Sequence, residues 1–120
     1  MNIDMIRAAA NRLEGHVRRT PLLNSPFLDD IAGRRVWIKP ECLQHTGSFK
    51  FRGGWSAVSA LDPEVRAKGV IAFSSGNHAQ GVAYAAKLHG VPSVIIMPAD
   101  APRLKIANTR ALGAEVVLYD

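Results

Sequence analysis

The residues best suited to chemistry lie in two short segments. Residues 46–54 are TGSFKFRGG, with Lys50 at their centre, and residues 74–81 are SSGNHAQG. A lysine amine can form a Schiff base with a carbonyl, whereas hydroxyls and backbone N–H groups at a helix N-terminus can hold a carboxylate or phosphate. A candidate amine followed by a Gly/Asn turn therefore suggests the chemistry of an aldehyde cofactor.

Both segments resemble the fold-type II pyridoxal-phosphate enzymes, specifically the branch of serine/threonine dehydratases (ammonia-lyases) and serine racemases. The resemblance extends to residues 19–22 (RTPL), 39–44 (KPECLQ) and 112–116 (LGAEV), and so covers nearly the whole chain. Cys42 departs from the pattern, because many members of the family have Asn there. This departure weakens the assignment to a subfamily more than the assignment to the family.

The resemblance implies that Lys50 joins the aldehyde of pyridoxal phosphate and later moves a proton at the substrate Cα. Phe49 matches an aromatic residue beside the cofactor ring, although packing in the core would explain a phenylalanine equally well. Arg52 is expected to bridge the domains or to hold the loop. Phe51 and His78 favour the dehydratase and racemase branch over the β-replacement synthases and threonine synthases, which differ after the lysine and after the Gly-Asn pair.

The second segment is expected to bind both cofactor and substrate. Asn77 resembles the residue that hydrogen-bonds the 3′-oxygen of the cofactor, while its own chemistry is also that of a helix N-cap. Ser74, Ser75, Gly76, Asn77 and His78 resemble the loop that receives the substrate carboxylate, which a helix N-terminus favours. His78 is interpreted as a positioning residue rather than as a general base.

Ser75 has a second possible role. It matches the serine that, in the racemase members, faces the side of the substrate Cα opposite the lysine. Because racemisation needs proton transfer on both faces, Lys50 and Ser75 would form a two-base arrangement and both would be catalytic. The alternative is a hydroxyl that only helps to bind the carboxylate.

From Gly69 onward the chain alternates between short apolar strands and helices. The pattern predicts strands at 70–73, 93–97 and 115–119 and helices at 77–89 and 102–112. Such alternation predicts a parallel sheet with right-handed crossovers and helices packed on its faces. The predicted fold class is therefore α/β. The resemblance implies that residues 50–120 form a three-layer small domain and that residues 1–49 form the N-terminal part of a large domain.

The first half of the chain is predicted to hold shorter elements. A helix follows the cap residue Asn2 and ends near Glu14 and Gly15, and a second runs from Pro26 to Gly33. Residues 36–38 (VWI) are predicted to form a strand, and a further helix begins near Lys50.

Composition excludes several classes of function. The net charge of +5 comes from dispersed basic residues without a stripe, so nucleic-acid binding is not expected. One cysteine permits no internal disulfide and the apolar runs are too short to span a membrane, which favours a cytoplasmic protein. Cys and His residues lack the spacing of a metal site, so no metal ligand is assigned.

The leading functional hypothesis is a pyridoxal-phosphate-dependent ammonia-lyase that converts a small hydroxy amino acid, such as serine or threonine, to a keto acid and ammonia. Serine racemase activity is an alternative. With 120 residues and no glycine-rich phosphate loop, the chain is interpreted as an N-terminal fragment, so a catalytically incomplete assembly piece is the other alternative. The resemblance also implies a homo-oligomer and permits a divalent cation bound by the missing region.

Overall fold

A computed structural model describes residues 2–120 of the chain. Their regular elements, in chain order, are α1 (Ile3–Leu13), α2 (Pro26–Ala32), two 3₁₀ turns (Glu41–Leu43 and His45–Gly47), α3 (Lys50–Ser59), α4 (Pro63–Ala67), β1 (Val70–Phe73), α5 (Asn77–His89), β2 (Ser93–Pro98), α6 (Arg103–Ala111) and β3 (Glu115–Tyr119). The predicted β-α-β-α-β alternation is confirmed, with shifts of one residue at the ends of α6 and β2.

The three strands form a parallel sheet in the order β1-β2-β3. Ala72 lies opposite Ile95, and Ile95 lies opposite Val116. Because the strands are added in one direction, right-handed crossovers place α5 and α6 on the same face of the sheet. The α/β fold class is therefore confirmed.

The core lies between this face and the two helices. Its members are small or branched apolar side chains from α5, α6, β2 and the adjoining loops: Ala79, Val82, Ala83, Ile95, Met97, Ala101, Ile106 and Ala114. Three alanines of α5 are fully buried: Ala79, Ala83 and Ala86. Alanine side chains let the helix axis approach the sheet closely.

The opposite face of the sheet is open in the described part of the chain. Ile71 and Phe73 of β1 are 69% and 65% exposed, and Val117 of β3 is 43% exposed. Side chains alternate between the two faces of a strand, so these residues point away from α5 and α6. Residues 2–120 thus supply two of the three expected layers.

Helix α3 packs along α5 and forms a second apolar cluster. Phe51, Trp55 and Val58 of α3 are buried against Ala85 of α5. The indole Nε1 of Trp55 donates a hydrogen bond to the carbonyl oxygen of Arg12 at 2.7 Å, which attaches α1 to α3. The helix that begins with Lys50 is therefore fixed on both of its sides.

Three of the four predictions for the first half of the chain are confirmed, including the helix that begins at Lys50. Asn2 caps α1 by accepting a hydrogen bond from the backbone N–H of Met5 at 3.0 Å, and α2 ends at Gly33 with φ 64°. The strand at 36–38 is wrong: only Ile38 pairs, in a single antiparallel bridge with Leu23. The Val36 N–H instead donates to the Asp29 carboxylate at 2.7 Å, which leaves it unavailable to a partner strand.

Candidate functional site

The polar segment 74–78 lies at the carboxyl edge of the sheet. It follows β1 directly, and the 99–102 loop that follows β2 lies at the same edge because the two strands are parallel. Each loop leads into a helix, so the N-termini of α5 and α6 both lie beside this edge. Open parallel sheets bind ligands at this position, where helix N-termini favour negative charge.

The turn from β1 into α5 is closed by a serine hydroxyl. The Ser74 Oγ accepts a hydrogen bond from the backbone N–H of Gly76 at 3.2 Å, and the Ser74 N–H donates to the Ile96 carbonyl at 3.0 Å. Gly76 is the cap residue of α5, and Asn77 is the first residue inside the helix. The interpretation of Asn77 as an N-cap is therefore wrong, because the cap position falls one residue earlier than predicted.

The side chain of Asn77 instead makes a long-range contact. Its Oδ1 accepts a hydrogen bond from the ammonium group of Lys105, which lies in the first turn of α6. The sequence analysis did not identify Lys105. This lysine lies 28 positions from Asn77, and no local feature of the sequence distinguishes it from the other surface lysines. The contact exists because both helices begin at the same edge of the sheet.

Lys50 begins α3, and its amine lies over the ring of Phe49. Its backbone N–H donates to the Ser48 hydroxyl at 3.4 Å, and its Nζ lies 4.8 Å from the ring centroid of Phe49. Among residues 2–120 its ammonium group forms no salt bridge. Phe49 is 58% exposed, so its ring lies outside the core that residues 2–120 form.

A glycine contact positions Lys50 against α5. A Cβ atom added to Gly81 would lie 2.8 Å from the carbonyl carbon of Lys50, closer than real contacts allow. The backbone of Lys50 therefore rests directly on Gly81, which is one helical turn beyond Asn77. The two sequence segments, 46–54 and 74–81, therefore contact each other through their backbones.

The loop before Lys50 is held by a partly buried ion pair. The guanidinium of Arg52 donates from Nε to Glu41 Oε2 at 2.7 Å and from Nη2 to Oε1 at 2.8 Å, and the Thr20 hydroxyl donates to Oε1 at 2.5 Å. The hydrogen bonds from Arg52, aided by Thr20, lower the pKa of Glu41 from 4.5 to about 2, although burial opposes them. Of the two roles expected for Arg52, holding the loop is the one observed.

A cavity of about 540 Å³ lies next to this loop but does not include Lys50 or Asn77. Its lining includes Thr46, which has φ 61°, and Gln80. The Oγ1 of Thr46 and the Nε2 of Gln80 are buried without a hydrogen-bond partner in the described part of the chain. The candidate site is therefore the open edge of the sheet rather than this cavity.

The histidines that the sequence left outside the site make structural contacts. His16 and His89 stack on Trp55 with ring centroids 4.1 Å and 4.3 Å away, and His45 packs edge-on against Phe51 at 5.0 Å. Among residues 2–120 no group of three or more metal-ligating side chains occurs. Nor is any helix in that range long and apolar enough to cross a membrane.

A parallel α/β sheet that combines a lysine amine with a polar turn at a helix N-terminus suits an enzyme that uses a carbonyl cofactor. The family described as pyridoxal-phosphate dependent enzyme matches residues 13–120, and the chain belongs to it. Its members use pyridoxal phosphate. The residues of the two segments fit this cofactor: Lys50 offers an amine, Phe49 an exposed aromatic ring, Asn77 an amide, and the 74–77 turn a helix N-terminus that favours an anion.

Individual relatives are similar over nearly all of this chain. The L-threo-3-hydroxyaspartate ammonia-lyase of a Pseudomonas species is 56% identical over 117 residues, which are 98% of this chain and 36% of the relative. The serine racemase of Arabidopsis thaliana is 46% identical over 112 residues, 93% of this chain and 34% of the relative. The chain thus spans about a third of the length of the curated relatives it matches.

Solved structures agree with the fold. The structure of maize serine racemase matches with a TM-score of 0.94 and 43% identity, over 99% of this chain and 36% of the other. The serine racemase of Dictyostelium discoideum matches with a TM-score of 0.93 and 38% identity, over 98% of this chain and 39% of the other. A solved threonine deaminase matches with a TM-score of 0.86 and 50% identity, over 98% of this chain and 36% of the other. Lyases and racemases therefore share this arrangement of elements.

Proposed function

We propose that this chain is part of a pyridoxal-phosphate-dependent ammonia-lyase that converts a small hydroxy amino acid to a keto acid and ammonia. The observation that supports this most directly is the contact between the Lys50 backbone and Gly81, one turn beyond Asn77. It ties the amine-bearing residue to the helix whose N-terminus would receive the anion. The ammonia-lyase names of several relatives support the reaction class.

Each residue of the site has a defined task in this proposal. Bound pyridoxal phosphate supplies an aldehyde carbon and a ring that accepts electrons from the substrate Cα. Lys50 holds the cofactor by its amine and, once that amine is free, removes the proton from Cα. Phe49 would lie against the cofactor, and Asn77 would donate a hydrogen bond to its 3′-oxygen.

The 74–78 turn would bind the substrate carboxylate. Ser74, Ser75 and His78 offer side-chain donors there, and Gly76 leaves room for a ligand, because a Cβ added to it would meet nothing within 4 Å. Ser75 and His78 are exposed, so a substrate can reach them. The α5 N-terminus favours the negative charge.

The names of the relatives support the substrate class. The relatives are named for 3-hydroxyaspartate, threonine and serine, which share a β-hydroxyl group next to the amino acid centre. The division into residues 1–49 of a large domain and 50–120 of a small domain stays a prediction, as do a homo-oligomer and a divalent cation held outside the described residues.

To test the role of Lys50, the full-length protein is loaded with pyridoxal phosphate and reduced with borohydride. Peptide mapping should find the reduced cofactor on Lys50 and not on the control Lys87, an exposed lysine in the last turn of α5. Lys50→Ala should abolish the adduct, whereas Lys87→Ala should leave it unchanged. An adduct on another lysine in the wild type would refute the assignment.

The reaction is tested separately with a panel of amino acids. L-threo-3-hydroxyaspartate, L-threonine and L-serine are supplied, and keto acid and ammonia are measured together. Equal release of both products from at least one substrate is expected. If the cofactor is bound at Lys50 but none of the three yields ammonia, the lyase proposal is wrong while the cofactor assignment stands.

Serine racemase activity is a second candidate, favoured by one observation. Ser75 is exposed at the carboxyl edge, in the turn that leads into α5, and named serine racemases match nearly the whole chain. A hydroxyl on the side of Cα opposite Lys50 would complete a pair of proton-transfer groups. Measurement of D-serine beside pyruvate separates the two activities.

A further inference from the structure

We propose that Lys105 is a positioning residue that fixes the orientation of the Asn77 amide toward the cofactor. The proposal rests on the proposed function, in which Asn77 contacts the 3′-oxygen of pyridoxal phosphate. The observation behind it is the hydrogen bond from the Lys105 Nζ to the Asn77 Oδ1, a contact between α6 and the first residue of α5.

The chemistry of the pair determines which end of the amide is engaged. An ammonium group has only donors, so it can bind only the Oδ1 of Asn77 and never the Nδ2. With Oδ1 held, both N–H bonds of Nδ2 remain free for another acceptor. A 3′-oxygen that carries negative charge needs such a donor, and would be repelled by Oδ1.

Without Lys105 this orientation would not be determined. The terminal torsion of an asparagine has two broad minima that exchange the oxygen and the nitrogen. Asn77 is exposed, and the turn before it is closed by Ser74 rather than by its own side chain. The Asn77 amide would therefore sample both orientations, only one of which donates to an anionic acceptor.

The fold holds Lys105 rigidly enough for this task. Its backbone N–H donates to the Pro102 carbonyl at 2.8 Å, and its carbonyl accepts from the Thr109 hydroxyl at 2.7 Å. The neighbouring Ile106 and Thr109 are buried, which fixes the face of α6 that Lys105 occupies. Lys105 itself is half-buried, so its stem is restricted while its ammonium group reaches Asn77.

The experiment is a double-mutant cycle on cofactor binding. Lys105→Met removes the donor but keeps a similar stem, Lys105→Arg keeps a donor, and Asn77→Ala removes the positioned group. Lys87→Met is the control, because Lys87 is an exposed lysine in the last turn of α5. The full-length protein is titrated with pyridoxal phosphate, and affinity, absorption maximum and melting temperature are recorded for each variant.

Lys105→Met should weaken cofactor binding by about fivefold to tenfold, the range for loss of one charge-assisted hydrogen bond at a partly exposed site. It should also shift the absorption maximum, while Lys105→Arg restores most of the affinity and Lys87→Met changes nothing. In the Asn77→Ala background, Lys105→Met should have no further effect. A purely structural role would lower the melting temperature and leave the affinity and absorption maximum unchanged.

Two outcomes would overturn the proposal. If Lys105→Met weakens binding equally with and without Asn77, then Lys105 acts on the cofactor directly and does not position Asn77. If Lys105→Met alters neither affinity nor absorption while Asn77→Ala alters both, Lys105 has no role. Failure of the wild type to bind the cofactor at Lys50 would instead refute the proposed function, and this inference with it.

Discussion

Gly54 of α3 and Gly81 of α5 meet in direct backbone contact. A Cβ atom added to Gly54 would lie 2.7 Å from the carbonyl oxygen of Gly81, and one added to Gly81 would lie 2.8 Å from the carbonyl carbon of Lys50. Each glycine is inside a helix, where glycine is less favourable than alanine. The close approach of the two helices explains why glycine stands at both positions.

Replacing Gly81 with alanine should push α3 away from α5 and displace Lys50. We expect Gly81→Ala to lower the free energy of unfolding by about 1–3 kcal/mol, as for other insertions into packed contacts. Chemical denaturation of the full-length protein measures this, and the yield of the borohydride adduct at Lys50 should fall.

Gly53 provides a matched control for that experiment. It lies next to Gly54 in the same helix, and a Cβ added there would meet nothing within 4 Å. Gly53→Ala should raise stability by up to about 1 kcal/mol, since alanine favours the helix. Equal effects of Gly53→Ala and Gly81→Ala would contradict the close-contact explanation.

The Glu41–Arg52 pair should contribute stability that depends on pH. Since the pKa of Glu41 is lowered to about 2 from 4.5, its contribution is present above pH 4.5 and is lost as the pH falls toward 2. The stability difference between wild type and Arg52→Gln should therefore shrink across this window, as followed by denaturation at a series of pH values.

Arg7→Gln is the comparison for this pair, because Arg7 and Asp4 form a salt bridge whose side chains are 72% and 82% exposed. Such a pair contributes little. Its removal should leave the pH profile nearly unchanged, and a profile altered as much as that of Arg52→Gln would argue against a special role for Glu41.

His89 should make the packing of α3 against α5 sensitive to mild acid. Burial, with the nearby charges of Arg66 and His16, lowers the pKa of His89 below its ordinary 6.5. The folded state therefore prefers the neutral ring, and stability present above pH 6.5 should be lost as the pH falls below that value. His89→Phe keeps a ring against Trp55 and should reduce this loss.

Fluorescence can follow that transition at Trp55 in a Trp37→Phe background, which leaves Trp55 as the single tryptophan of these 120 residues. Burial also lowers the pKa of His45, so part of the acid sensitivity should persist in His89→Phe and disappear only when His45→Phe is added. An unchanged profile in the double variant would show that other groups cause the transition.

Ser75 should separate racemisation from elimination. The full-length enzyme is incubated with L-serine in deuterated water, and D-serine and pyruvate are followed together. If Ser75 transfers a proton opposite Lys50, Ser75→Ala should lose D-serine formation selectively and retain pyruvate formation. A wild type that forms no D-serine at any pH, with divalent cation supplied, would exclude the two-base arrangement.

Local patterns in the sequence predicted most of the elements. The cap at Asn2, the left-handed Gly33 and the alternation of apolar strands with helices after Gly69 all depend on a few neighbouring residues, so each could be predicted without the fold. The assignment of Lys50 as the residue that binds the cofactor also comes from the sequence, because the residue types and spacing around it resemble those of the family.

The tertiary structure decided the features that depend on distant contacts. Residues 36–38 do not form the predicted strand, because the Val36 N–H donates its hydrogen bond to Asp29. Asn77 is not the cap residue of α5, because Ser74 closes the turn one residue earlier. The contact between Asn77 and Lys105 joins residues 28 positions apart. The alternation of strands and helices predicts that the two helix N-termini lie at one edge of the sheet. Which of their side chains meet there depends on how the two helices pack, and the local pattern of the sequence does not contain that information.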